Sequence, residues 1–247
     1  MSVSRALSFG TAAADYARHR PGYPEPAVAW ALEPVRGRPA AQLLDLAAGT
    51  GKLTAVLRSH GTVTAVEPDP AMLGELHRQF PEVTAAEGSA EEIPLPDASV
   101  DAVLVGSAWH WFDHDRALRE IARVLRPGGV LAILGNREDG RIDWVRGYLE
   151  VREREREMPR RGDRRRTLPA HPAFGPSERA TFPNPIRTTA DWLVAMLGTH
   201  SWALTATPAA RASAFRRVRA YLAERPETSA GEFELPLVTE VVRALRK

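Results

Sequence analysis

The sequence contains no cysteine, and only two of its 33 basic residues are lysines, Lys52 and Lys247. Without a thiol there is no disulfide framework, no zinc–thiolate or iron–sulfur centre and no thiolate nucleophile. No run of about 18 apolar residues occurs, so no membrane-spanning helix is expected. The opening stretch MSVSRALSFGTAAAD offers little beyond Ala6 and Leu7, where a secretory signal needs an apolar run of about 7–15 residues. A cytoplasmic protein without a membrane partner is the expectation. A charge excess of one sign is also missing. The 33 basic residues face 31 acidic ones, for a net +2. The sequence pI of about 9.3 reflects near-balance and many arginines, and does not call for a nucleic-acid partner.

What is present is the balance of a folded chain: 247 residues, 44% hydrophobic and 26% charged. A single α/β domain of about 250 residues is routine. Between residues 42 and 137 apolar runs alternate with amphipathic stretches. Gln42–Leu46, Thr62–Val66, Val83–Ala86, Val100–Val105 and Val130–Leu134 read as strands. Helices are expected from Thr54 to Arg58, from Asp69-Pro70 onward with Met72, Leu73 and Leu76 inward, and through Leu118, Ile121, Ala122 and Leu125. This rhythm predicts a doubly wound, mostly parallel sheet. Further helices are expected over Trp144–Glu157, Asp191–Leu197 and Arg211–Leu222, a loop over Arg160–Pro176, and an extended end from Glu232 through Leu245. The expected organisation is one domain over 1–247. Residues 1–39 cap a ligand-binding core at 40–140, and 141–247 complete the sheet and the substrate side.

The strongest local signal is Leu44-Asp45-Leu46-Ala47-Ala48-Gly49-Thr50-Gly51, at the end of the first strand, with Glu67 at the end of the second. A glycine loop admits a ligand close to the backbone, and an acid at the next strand tip can accept both hydroxyls of a ribose. The dinucleotide pattern G-x-G-x-x-G fails, because Ala47 and Lys52 occupy its first and third glycine positions. The P-loop pattern also fails, because Leu46 and Leu53 stand where it needs glycine and serine or threonine. The site therefore suits an adenosine without a pyrophosphate.

With these motifs the sequence resembles the class I S-adenosylmethionine-dependent methyltransferases, of the small-molecule, trans-aconitate methyltransferase-like type. The likeness runs through Phe9, Tyr16 and Arg20-Pro21-Gly22-Tyr23-Pro24, the glycine loop, Glu67-Pro68, Gly88-Ser89-Ala90-Glu91, Trp109-His110-Trp111-Phe112 and Arg123–Gly129. It returns less specifically in Leu235–Thr239. The resemblance implies a seven-stranded sheet, S-adenosylmethionine as cofactor, and methyl transfer to the oxygen or nitrogen of a small molecule, with a carboxylate among the options. By position it implies that Asp45, Ala47, Gly49 and Gly51 line the methionyl end and that Glu67 holds the ribose. Pro68 and Met72 would pack on the adenine, with Gly88, Ser89 and Ala90 along its edge. Ser107 would lie under the ligand, and Tyr16 and Arg20 would close over it, Arg20 near the carboxylate. Ala47 stands where the family usually has glycine, and alanine suits that position if φ is negative.

His110 is the candidate catalytic residue, as a general base or as an orienting side chain. The flanking Trp109 and Trp111 favour orientation, and simple aromatic packing is the competing reading. Asp113 and His114 make a weak metal pattern, and no metal is expected. Residues 152–166 hold eight arginines and four acids. They read as a solvated helix face running into a loop, or as a lid that attracts an acidic substrate. Two other functions stay open. A nicotinamide-dependent short-chain reductase would need Tyr-x-x-x-Lys, yet none of Tyr16, Tyr23, Tyr148 and Tyr221 has lysine four residues on. A methyltransferase-like scaffold without turnover is the other.

Overall fold

A computed structural model describes residues 13–153 and 167–247. Phe9 and the arginine-rich run beyond Glu153 lie outside the described residues. The frame is a seven-stranded sheet built from β1 (Gln42–Leu46), β2 (Thr62–Glu67), β3 (Thr84–Glu87), β4 (Val100–Gly106), β5 (Leu125–Glu138), β6 (Glu178–Pro183) and β9 (Leu237–Leu245). Its order is β3-β2-β1-β4-β5-β9-β6. The pairs from β3 through β5 are all parallel, while β9 runs antiparallel to both β5 and β6. A separate two-stranded ribbon joins β7 (Ile186–Thr189) to β8 (Glu232–Leu235).

Period-2 alternation divides the core between the two faces of the sheet. Leu43, Ala102, Leu104 and Ala132 face one side, and α2 (Glu25–Leu32), α3 (Thr54–Leu57) and Leu76 of α4 (Pro70–Gln79) cover them. Leu44, Leu46, Val103, Val105 and Ile133 face the other, under α5 (His114–Val124). Ahead of these lies α1 (Ala13–His19). The Asp69-Pro70 dipeptide starts α4 as its chemistry dictates. Asp69 Oδ1 accepts the Ala71 and Met72 N–H groups at 2.9 and 3.3 Å, and proline occupies the first helical position. Such a cap contributes about 1 kcal/mol. Truncating the fully buried Leu76 to alanine would cost about 2–5 kcal/mol.

A third apolar cluster lies over the sheet's carboxyl ends. Val145 and Tyr148 of α6 (Asp143–Glu153) pack there with Leu193 and Leu197 of α7 (Ala190–Gly198). Val218 and Leu222 of α9 (Pro208–Ala223) and Phe233 of β8 complete it, and the short α8 (Ser201–Thr205) links α7 to α9. Three features depart from the sequence expectations. The fifth strand runs from Leu125 to Glu138, beyond Val130–Leu134 at both ends, because Leu125 pairs with Val100 of β4 and β9 pairs with its far half as far as Glu138↔Leu237. The strands β6 and β7 have no sequence counterpart: β6 is an edge strand with little of it buried. The extended C-terminal stretch divides at Pro236 into two strands that belong to different sheets. No described helix is long and apolar enough to cross a membrane.

Candidate active site

At the carboxyl tips of β1, β4 and β5 lies a cavity of about 290 Å³. Tyr16, Arg20, Asp45, Ala47, Gly49 and Ser107, all expected from sequence, line it. After β1 the chain turns tightly. The Ala48 N–H returns to the Val66 carbonyl at 3.1 Å and the Gly51 N–H to the Ala48 carbonyl at 3.0 Å. The turn places Ala47, Gly49 and Gly51 at φ of +57°, +57° and +86°. The negative φ that alanine favours is therefore not what Ala47 adopts. Its left-handed backbone costs about 1–2 kcal/mol, and the turn imposes it. Gly49 opens on free space, since a Cβ there would meet nothing within 4 Å. Gly51 instead faces Phe80, which a Cβ would strike at 2.7 Å, so it serves the packing of the turn and not the cavity wall.

Asp45 is buried at the β1 tip. Its Oδ2 accepts the Thr54 hydroxyl at 2.5 Å, while Oδ1 is buried with no hydrogen-bond partner among the described residues. Burial pushes this carboxyl up to about 7, against the Thr54 hydrogen bonds and with a smaller push from Glu67. Glu67 does not line the cavity but braces its floor. One carboxylate oxygen accepts the Gly49 N–H at 2.9 Å and the other the Asp69 N–H at 3.0 Å. Burial raises its pKa despite these two donors. Each oxygen has a lone pair to spare. Pro68, Met72, Gly88, Ser89 and Ala90 lie around the β2 and β3 tips, outside the cavity lining. Met72 and Ala90 are buried, and a Cβ on Gly88 would strike Pro94 at 2.6 Å.

The arm between α1 and α2 forms the roof. Arg20 donates to the Thr199 carbonyl at 3.0 Å and lies 5.0 Å from the Tyr16 ring centre. Its Nε–H is buried without an acceptor among the described residues. Tyr23 and Ser107 share a hydrogen bond of 2.9 Å, and Ser107 itself sits at φ +59°. An amide clamp fixes the arm. Asn136 donates to the Gly22 carbonyl at 2.9 Å and Asn184 to the same carbonyl at 3.0 Å, while Asn136 Oδ1 accepts from Asn184 and from Thr239.

Sequence reasoning missed Lys52, Asn136, Arg137, Glu138 and His200, which line the cavity along with Arg152, the first residue of the 152–166 run read as a solvated face or a lid. Their only sequence signal was negative: Lys52 is the one internal lysine in a chain that otherwise uses arginine. Burial lowers its pKa. Arg137 pairs with Glu240 at 2.6 Å, and Arg152 pairs with Glu138. His110 is exposed and outside the lining, its ring 4.6 Å from that of Trp111. Trp109 is buried, stacks on His114 at 4.7 Å and donates its indole N–H to the Thr167 carbonyl.

Residues 44–133 match the family model described as a methyltransferase domain. The chain is 42% identical to uncharacterised methyltransferases of Mycobacterium tuberculosis and Mycobacterium bovis, over 99% of each chain. It is 38% identical to the malonyl-[acyl-carrier protein] O-methyltransferase of Methylococcus capsulatus over 47% of this chain and 46% of that one. A solved structure from Anaeromyxobacter dehalogenans, proposed to be a type II methyltransferase, superposes with a TM-score of 0.68 at 30% identity. That likeness covers 92% of this chain and 97% of the other.

Proposed function

We propose that this chain, which belongs to the class I S-adenosylmethionine-dependent methyltransferases, methylates a small acceptor that carries a carboxylate. The observation that carries this reading is the charge of the cavity. Four cationic side chains line it; Arg137 pairs with Glu240 and Arg152 with Glu138, which leaves Arg20 and Lys52 facing Asp45, a carboxyl that burial pushes up to about 7. The cofactor's sulfonium would add to the positive side. An anionic acceptor balances this field, and a cationic one would meet repulsion in a partly enclosed site.

The residues present suit the cofactor. The free Oδ1 of Asp45 fits its ammonium, the unspent Arg20 Nε–H fits its carboxylate, and the spare lone pairs of Glu67 fit the ribose hydroxyls. The open space over Gly49 leaves room beside the backbone. When bound, S-adenosylmethionine supplies a methyl group on a sulfonium: the new carbon–oxygen bond forms as the carbon–sulfur bond breaks, and that electron pair stays on sulfur as the thioether. The chain's own contribution is alignment and exclusion of water, worth about 7–11 kcal/mol when two reactants are held in register. A carboxylate acceptor has no proton to lose, so this reading requires no general base. His110, Trp111 and the adenine-side residues Pro68, Met72, Gly88, Ser89 and Ala90 remain proposed contacts of the loaded site.

Two measurements test the reading. Calorimetric titration should show micromolar binding of S-adenosylmethionine and none of NADH, with Glu67→Ala weakening the former by about 2–3 kcal/mol. Transfer of labelled methyl to a panel of small acids, alcohols and amines should favour the acids. Exclusive transfer to amines would reject the acidic acceptor while leaving the family intact.

A further inference from the structure

The cavity holds a second arginine whose bonding is incomplete, at the end away from the glycine turn. Arg152 lies near the end of α6 with its side chain only 10% exposed, and its partner Glu138 is 12% exposed. Both line the cavity. The guanidinium lies 5.4 Å from the ring centre of the fully buried Tyr148. Burial works against its charge, but Glu138 and Tyr148 hold it protonated. Glu138 engages the Nη1 end, and the Nε–H is buried without an acceptor among the described residues. A buried, unpaired donor on a fixed cation is costly to keep. It is the arrangement expected of a group whose acceptor arrives with a ligand. Arg20, beside its own tyrosine, shows the same pattern near the other end.

Position decides which group Arg152 can hold. Glu138 extends β5, two strands across the sheet from β1. Asp45 stands opposite Leu104 and Leu104 opposite Ala132, so Glu138 lies about 10 Å to the side and, at 138 − 132, six residues farther along β5. A methyl donor seated over the β1 and β2 tips puts its methyl well short of Arg152. A carboxylate gripped by a guanidinium fork also has its lone pairs and charge committed, which makes it a poor nucleophile. Resting on the acidic-acceptor reading above, we infer that Arg152 anchors a second acidic group of the acceptor, remote from the one that receives the methyl. Glu138 holds the guanidinium in place until that group arrives and then shares it. Arg152 is thus a positioning residue that sets the number of charges the acceptor carries.

The experiment compares two five-carbon acids, glutarate and pentanoate, by calorimetric titration into the protein loaded with S-adenosylhomocysteine, so that nothing reacts. The wild type should bind glutarate at least tenfold more tightly. Arg152→Gln should bring the two acids within twofold of each other by weakening glutarate alone. Glu138→Gln, which frees the guanidinium without removing it, should tighten glutarate at least threefold and leave pentanoate unchanged. Arg152→Lys keeps the charge without the fork and should lose part of the preference, which keeps the test alive if the glutamine variant fails to fold. Equal binding of both acids by the wild type, equal weakening of both in Arg152→Gln, or an unmoved ratio in Glu138→Gln overturns the inference and spares the acidic-acceptor reading. Failure of both acids to bind the loaded wild type overturns both.

Discussion

Titrating the cofactor between pH 7 and pH 5 isolates the Asp45 carboxyl. In the free protein burial holds this group at about 7, and one of its oxygens has no partner among the described residues. A bound ammonium requires the ionised form, so binding must expel the proton that burial retains. The sign follows: lowering the pH protonates Asp45 in the free protein, and affinity falls. With a free-state value of about 7 and a bound-state value below 5, the association constant should drop about fiftyfold from pH 7 to pH 5. About 0.9 proton should be released per cofactor bound at pH 6. The window matters, because above pH 7 the cofactor's own amino group, near 7.7–8.0 in its free form, begins to titrate. The charged groups around Asp45 are Glu67 on β2, whose pKa is also raised, with Lys52 and Arg20 across the cavity. Asp45→Asn separates their contribution. It should flatten the profile and lower affinity at pH 7 by about 10–100-fold, the loss of one charge-assisted hydrogen bond. The same variant should raise the melting temperature of the cofactor-free protein at neutral pH. A carboxyl whose folded pKa is raised above the unfolded 3.8 costs stability as pH climbs from about 4 to 7. Calorimetry at pH 6 in two buffers of different ionisation enthalpy reads the proton directly. Equal apparent enthalpies in the two buffers, or a profile unchanged in Asp45→Asn, would refute the argument.

Other expectations follow from strain, charge and close approach. Ala47→Gly should relieve the positive φ at the turn and raise stability by about 0.5–1 kcal/mol after glycine's entropy is counted, seen as a rise of roughly 1–3 °C in melting temperature. A fall would show that Ala47 is not strained. Asp101, buried between Arg38 at 2.8 Å and Arg126 at 2.7 Å and bonded to the Gln42 N–H, has its pKa lowered because these partners outweigh its burial. Its stabilisation is full above pH 4 and lost as pH falls through the lowered value. Asp101→Asn should therefore cost about 2–3 kcal/mol in urea at pH 7 and progressively less in acid. Gly106→Ala would put a Cβ 2.8 Å from the Tyr23 hydroxyl. It should break the Tyr23–Ser107 hydrogen bond and weaken cofactor binding about tenfold, and wild-type affinity would show that the roof tolerates displacement.

The central sheet was readable because each strand and helix there carries its own periodicity: Leu43 to Leu46, Val103 to Val105, and Leu118 with Ile121 and Ala122 need no distant partner to declare a face. The glycine turn and Glu67 were equally readable, being local chemistry at fixed spacing. The cavity's far wall was not. Asn136, Arg137, Glu138 and Arg152 are polar residues whose shared surroundings arise only when β9 pairs with the extended end of β5 and α6 folds back. The strand Glu178–Pro183 escaped notice because an edge strand with little burial has no apolar alternation to display. The φ of Ala47 was hidden for the opposite reason. Its side chain is permissive enough to be forced where glycine is preferred.

The amide clamp on Gly22 has a consequence for synthesis. Asn184 follows the carbonyl it holds by 162 residues, and Asn136 by 114. At roughly 5–20 residues per second, the arm carrying Tyr16, Arg20 and Tyr23 emerges some 8–32 s before Asn184 can clamp it, and Arg20 waits longer still for the Thr199 carbonyl. During that interval the β1 turn and Glu67 can already have formed, since the hydrogen bonds that tie the turn to Val66 and Glu67 span 18 residues. A nascent chain therefore acquires the floor of the pocket early and its roof late, and ligand capture must await the final quarter of the polypeptide.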